Sequence, residues 1–224
     1  MTDNKQKLKD ATDIIFILDR SGSMGGLEEA TIKGFNDTIA EQKQAKNMGE
    51  AHVTTVLFDD EVEVLHKSVD LQQVAPLTTK EYYTRGCTAL LDAIGSTLEQ
   101  IKQTRKALPK EARPTKTIMV ITTDGMENAS QHYAYAKIKK MITKRRAKGW
   151  QFVFLGANID ALDLAGQLGI ATEDACDFVP DAVGLAYNTK AQNRKIKAAR
   201  CCQCAEPDWN KEAKSYYRKS KTAK

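Results

Sequence analysis

No apolar run in this chain reaches the roughly 20 residues that a membrane-crossing helix needs, so no integral span is expected. The amino-terminal stretch from Met1 to Asp10 is polar and mixed in charge, and it reads as neither a signal peptide nor an anchor. Cysteine is scarce and odd in number. The five residues Cys87, Cys176, Cys201, Cys202 and Cys204 stand at spacings that suggest no regular disulfide framework, and a reducing cytoplasm is the expected location. Cys201, Cys202 and Cys204 lack the two spaced pairs of a zinc knuckle and have no histidine nearby in sequence, so they read as reduced surface or packing thiols. Histidine is equally sparse: His52, His66 and His132 form no nucleophile, base and orienter set. The glycines of Gly22-Ser23-Met24-Gly25-Gly26 do not follow the G-x-G-x-x-G spacing, and no Lys-Ser/Thr ending makes a P-loop, so glycine there serves a tight turn.

What is present is enough for one substantial core. A chain of 224 residues that is 42% hydrophobic needs no second domain. Strand-like apolar runs occur at 14–18, 52–58, 62–66, 116–122 and 151–155. Helical spacing covers 27–44, the segment carrying Leu90, Ile94, Leu98 and Ile101, then 134–147 and 161–168, with Gly149 and Gly169 as stops. The short link Asp59-Asp60-Glu61 predicts a hairpin, hence one antiparallel edge strand. The remaining alternation predicts an α/β, doubly wound, mostly parallel central sheet with helices on both faces.

Chemistry concentrates at the ends of two of these runs. Asp19-Arg20-Ser21-Gly22-Ser23 follows Ile14-Ile15-Phe16-Ile17-Leu18 directly, and Asp124-Gly125 closes the run that begins at Ile118. Thr88 stands before the helical segment at Leu90. A hard cation such as Mg²⁺ takes oxygen ligands in near-octahedral geometry, and alternate residues after a strand can aim one carboxylate and two hydroxyls at a point. In a parallel sheet the ligand crevice lies at the carboxyl ends of the strands, so distant residues can meet there. Taken singly, Asp19 or Thr88 could only cap a helix and Asp124-Gly125 could only turn the chain.

Together, Asp19, Ser21, Ser23, Thr88 and Asp124 match Asp-x-Ser-x-Ser, a distant Thr and a later Asp-Gly, with no ligand position substituted. This set resembles the metal-ion-dependent adhesion site of the von Willebrand factor type A domain, over roughly Asp13 to Phe154. The resemblance implies a Rossmann-like fold that holds Mg²⁺, or Mn²⁺ or Ca²⁺, and presents it to an acidic ligand on a partner protein without catalysis. It makes Asp19 the principal charged ligand, Ser21 and Ser23 direct hydroxyl ligands, Thr88 a ligand of the bound state and Asp124 a water-mediated one. Compact length and the lack of an export signal fit stand-alone bacterial or phage proteins of this type. Cys87, next to Thr88, reads as a small buried residue, since one sulfur among hard oxygens makes no zinc site.

The enzymatic alternative is a Mg²⁺-dependent phosphatase-like hydrolase, because an aspartate after an apolar strand is also the nucleophile of haloacid-dehalogenase-like phosphatases. That family needs an aspartate two residues on for proton transfer, and Ser21 stands there instead. A further alternative comes from the carboxyl-terminal segment, residues 190–224, set apart from a 1–189 domain. It holds 11 Lys and Arg against 3 Asp and Glu, while the whole chain carries only +5, so the first 189 residues are net acidic. Such a basic helical segment or tail could dock nucleic acid, with Trp209, Tyr216 and Tyr217 stacking on bases, or could be a solvated helix face.

Overall fold

The computed structural model describes residues 11–201 and 208–222. In chain order its main elements are β1 (Thr12–Asp19), α1 (Glu28–Gln44), β2 (Ala51–Phe58), β3 (Val62–Asp70), α2 (Leu90–Ala107) and β4 (Lys116–Thr123). There follow α3 (Tyr135–Arg146), β5 (Gln151–Gly156), α4 (Ala161–Leu168), β6 (Ala175–Asp177), α5 (Ala182–Cys201) and α6 (Lys211–Thr222). The strands form one sheet in the order β3-β2-β1-β4-β5-β6. All neighbours are parallel except β2 and β3, the hairpin expected from its short link.

The unbroken apolar run of β1 follows from burial on both faces. Side chains alternate across a strand, so Ile14, Phe16 and Leu18 enter one layer with Phe35 and Ile39 of α1 and with Leu185 and Ile196 of α5. Ile15 and Ile17 enter the opposite layer with Leu90, Ile94 and Leu98 of α2, Ile138 and Ile142 of α3, and Leu164 and Leu168 of α4. This is the doubly wound α/β arrangement expected from the sequence. Helix α4 shows how local chemistry sets its ends. The Asp160 carboxylate accepts from the Asp163 amide at 2.9 Å, and Gly169 closes the helix in the left-handed region at φ 82°. Strand β3, at the outer edge, is not straight: its pairing with β2 shifts register on either side of Thr55, and Ser68 takes a left-handed φ of 52°.

Two features of the carboxyl-terminal third differ from expectation. Strand β6 has only three residues, too few for alternation to show in a sequence. The division placed between residues 189 and 190 falls inside α5, whose buried residues lie on both sides of it: Leu185 and Asn188 before, Ala191, Ile196 and Ala199 after. Several of the basic residues counted there are structural. The Arg200 guanidinium is buried and donates to the Gln42 backbone oxygen at 2.9 Å and its side-chain oxygen at 3.0 Å, and Lys195 pairs with Asp174 at 2.6 Å. Trp209 is 2% exposed and donates its indole N–H to the Glu173 carbonyl at 2.9 Å, so it has no free face for a base, which removes it from the nucleic-acid alternative. A charge count weighs composition and is blind to which helix face each residue occupies. Cys202 and Cys204 lie outside the described residues, and Cys201 is half-buried with its thiol 3.4 Å from the Met48 sulfur.

Candidate metal centre

Strand β1 is followed by α1 and β2 on one side of the sheet, and β4 by α3 and β5 on the other, so a crevice opens between their carboxyl ends. Asp19 is the last residue of β1, and Asp124 comes directly after β4. Both are buried, as are Ser21 and Thr88, while Ser23 is exposed and marks the side open to solvent.

The structure brings the five expected residues to one rim, with Asp19, Ser21, Ser23 and Asp124 linked by hydrogen bonds and Thr88 beside them. Asp19 accepts from the Ser21 amide at 2.7 Å with one oxygen and from the Thr123 hydroxyl at 2.5 Å with the other. The hydroxyls of Ser21 and Ser23 lie 3.0 Å apart, and Ser23 donates to Asp124 Oδ1 at 2.6 Å. Thr88 completes the group from the far side. A methyl placed on Gly125 would sit 2.8 Å from Thr88 Oγ1, 2.9 Å from Ser23 Oγ and 3.7 Å from Ser21 Oγ. Three hydroxyls therefore surround one small space, kept open because residue 125 has no side chain. Asp124 Oδ2 is buried and has no hydrogen-bond partner among the described residues. A buried acceptor left in that state costs about 1–3 kcal/mol, so the site is arranged for a donor or cation that it does not itself supply.

Electrostatics agree. Burial pushes the Asp19 carboxyl up to about 6, against the pull of the Thr123 and Ser21 hydrogen bonds, with the nearby Asp124 charge adding to the rise. Burial likewise raises Asp124, and the Ser23 hydroxyl opposes it. A raised carboxyl holds its proton more tightly in the folded chain than in the unfolded one. Its contribution is therefore favourable at low pH and lost as pH climbs from about 4 towards about 6. In chelator, the stability of the native sequence relative to Asp19→Asn should fall by on the order of 2 kcal/mol between pH 4.5 and 7.5. Urea titrations of both proteins at several pH values check this, and a difference that stays flat or grows with pH would contradict it.

Residues that the sequence reading did not single out hold the rim in place. Tyr82 donates its hydroxyl to the Asp19 carbonyl at 2.5 Å. Arg20 is 1% exposed and pairs with Asp59, itself fully buried, at 2.8 Å and with Glu63 at 2.8 Å. Asp59 also takes Arg85 at 2.7 Å, and its carbonyl accepts from the Ala89 amide at 2.8 Å, so it fixes both ends of the loop that carries Thr88. Gly86 in that loop has φ 64°, and a Cβ there would lie 1.8 Å from an Asp60 oxygen, so only glycine fits. On the other side Asn128 brackets Thr88, accepting from its amide at 2.8 Å and donating its own amide to the Thr88 carbonyl at 3.0 Å. Glu127 accepts from the Leu91 amide at 2.9 Å, tying the loop after Asp124 to the amino end of α2. No spacing rule pairs residues this far apart. A Thr beside the Asp at a strand end was the one legible signal, for Thr123. Cys87, expected to be buried, is exposed.

Comparison with known proteins agrees with this fold. No curated protein matches the chain. Among solved structures, proximal thread matrix protein 1 from the mussel byssus superposes with a TM-score of 0.56 at 15% identity, over 85% of this chain and 47% of that one. The form of that protein described as having a zinc-occupied MIDAS motif, the metal-ion-dependent adhesion site, gives 0.57 at 16%, over 85% and 46%. The PilB minor pilin of Streptococcus sanguinis gives 0.58 at 12%, over 84% and 61%. The chain thus spans about half to three-fifths of the length of these proteins, with which it shares a fold. The family model for the von Willebrand factor type A domain matches residues 13–180, three-quarters of the sequence, and the chain belongs to that family.

Proposed function

We propose that this domain is a divalent-cation-dependent protein-binding module that engages an acidic group of a partner through Asp19, Ser21, Ser23, Thr88 and Asp124. One observation carries the reading: three hydroxyls and an unpartnered buried carboxylate oxygen gather at the space in front of Gly125. Among the described residues no group of three or more His, Cys, Asp or Glu side chains is placed to hold a metal. Two carboxylates and three hydroxyls make a hard-ion donor set, suited to Mg²⁺ with Mn²⁺ or Ca²⁺ as substitutes. The zinc-occupied site of the mussel byssus protein lends support for divalent-metal binding.

A bound dication would supply positive charge and an open coordination position for a partner's carboxylate. The chain's own residues do the rest. Asp19 provides the main negative charge and is oriented by Thr123 and the Ser21 amide. Ser21, Ser23 and Thr88 add oxygen without charge, which leaves the ion short of electrons and selective for an anionic partner. Asp124 completes the charge at one remove, through water. Catalysis is not part of this proposal: the residue two after Asp19, where a hydrolase places its acid and base, is Ser21. The described thiols Cys87, Cys176 and Cys201 are free, in keeping with the reducing cytoplasm in which we place the protein, and no helix among the described residues is long and apolar enough to cross a membrane.

Thermal unfolding tests the site directly. Mg²⁺ or Mn²⁺ at about a hundredfold excess over Kd should raise Tm by roughly 5–10 °C, since it binds only the folded chain. Asp19→Ala should abolish the shift. Gly125→Ala should abolish it too while leaving all five oxygen-bearing side chains in place, because the new methyl fills the space between the hydroxyls. An unchanged shift in either variant would refute the assignment. Hydrolysis of phosphate esters that requires Asp19 would replace the binding reading by the phosphatase one.

A further inference from the structure

The opposite end of the sheet carries a second surface. Arg105 anchors there, donating to Asp13 at the start of β1 and to Thr117 at the start of β4, each at 2.5 Å. Strand β4 separates this end from the metal rim by seven residue steps, about 23 Å at 3.3 Å per step. Here α2 and α3 flank a groove of about 610 Å³. One wall carries Lys102, Arg105, Lys106 and Arg113, and the other carries Lys140, Lys144, Arg145 and Lys148. Glu99 is the one acidic residue lining it.

These cations are not balanced locally. Lys102 pairs with Glu99 and Arg105 with Asp13, but among the described residues Lys106, Arg113, Lys140, Lys144, Arg145 and Lys148 form no ion pair. The guanidiniums of Arg113 and Arg145 bond only backbone carbonyls, and Arg145 reaches across to the Leu98 carbonyl of α2 at 2.8 Å. Trp150 forms the floor, with Arg105 over its ring at 4.7 Å and Arg145 at 5.5 Å. Concentrating charge of one sign in a groove raises the local potential and favours an anionic occupant.

We propose that this groove binds the phosphate backbone of a single-stranded nucleic acid. Lys140 and Lys144 stand one turn apart on α3, about 6 Å along its axis, and Lys148 follows in the turn just past its end, all three exposed. A single strand carries one negative charge per nucleotide, so cations on both walls can neutralise several successive phosphates. Cations on both walls of one groove of about 610 Å³ suit a single strand lying between them, rather than a duplex resting on the rim. An acidic protein segment would intersperse its carboxylates with other side chains, whereas a polynucleotide offers charge of one sign to both walls. This surface is distinct from the carboxyl-terminal basic helix, which packs at the β6 end of the sheet.

The test is fluorescence anisotropy with the full chain and a labelled 20-mer of deoxythymidine in chelator. Engagement of the four exposed lysines Lys106, Lys140, Lys144 and Lys148 should weaken binding roughly fiftyfold between 50 and 200 mM salt. The triple variant Lys140→Glu, Lys144→Glu, Lys148→Glu changes only exposed residues and should lose binding at least tenfold with an unchanged Tm. The charge-matched control Lys211→Glu, Arg218→Glu, Lys219→Glu on α6 should change it less than threefold, and Lys144→Ala alone provides a milder second variant. The proposal is overturned by no binding at 50 mM salt, by equal losses in the two triple variants, or by a polyglutamate peptide that binds more tightly than the oligonucleotide.

Discussion

A chain ending at Thr189 should show no cooperative thermal transition and should lose its near-ultraviolet circular dichroism. The cut falls inside α5 and removes Ala191, Ile196 and Ala199, together with Trp209 and Ala213, from the layer that covers Phe16, Leu18 and Phe35. Burying a large apolar side chain is worth about 1.5–3 kcal/mol, and the truncation also exposes every residue those side chains cover. The total is comparable to the roughly 5–15 kcal/mol that holds a domain together. Graded versions give a number. Trp209→Ala should cost about 3–5 kcal/mol and Ile196→Ala about 2–5 kcal/mol in urea titrations. A truncated chain with an intact transition would show that the last two helices are peripheral to stability.

Asp59→Ala should be the most damaging single change near the rim, at about 3–5 kcal/mol, because it leaves the Arg20 guanidinium buried without its main counter-ion. Burial alone would raise the Asp59 carboxyl, but hydrogen bonds from Arg85, the Glu61 amide and Arg20 outweigh it and hold the group below its ordinary value. Glu63 remains on Arg20 at 2.8 Å and keeps the cost from rising further. The variant should also weaken metal binding while leaving every proposed ligand in place, since Asp59 secures the loop that carries Thr88. Calorimetric titration with Mn²⁺ alongside urea unfolding separates the two effects. Unchanged stability would show that Arg20 finds enough compensation elsewhere.

The parts that were readable in the sequence are those set by local periodicity. Strands β1 and β4 are buried on both faces, so they read as continuous apolar runs, and the carboxylates that end them stood out by contrast. The β2–β3 hairpin was readable because only a three-residue link separates its strands. Contacts between distant positions left no such trace. Arg20 and Asp59 are 39 residues apart, and Tyr82 reaches Asp19 across 63. Helix α5 was obscured for a different reason: its buried face includes Asn188, Gln192, Asn193, Lys195 and Arg200, polar groups that composition assigns to solvent. Gln42 and Thr38 of α1 supply partners for part of that face, as where Gln192 donates to the Thr38 hydroxyl at 2.8 Å.

The irregular outer strand has a consequence for self-association. A nine-residue strand at the edge of a sheet offers unpaired amides and carbonyls to any extended chain, and a flat one would template edge-to-edge growth. In β3 the register shifts around Thr55 and the left-handed turn at Ser68 break the even spacing that an incoming strand would need. At the far edge, β6 spans three residues, short of a useful template. Edge-to-edge pairing of one copy's sheet with another's is thereby discouraged at both flanks.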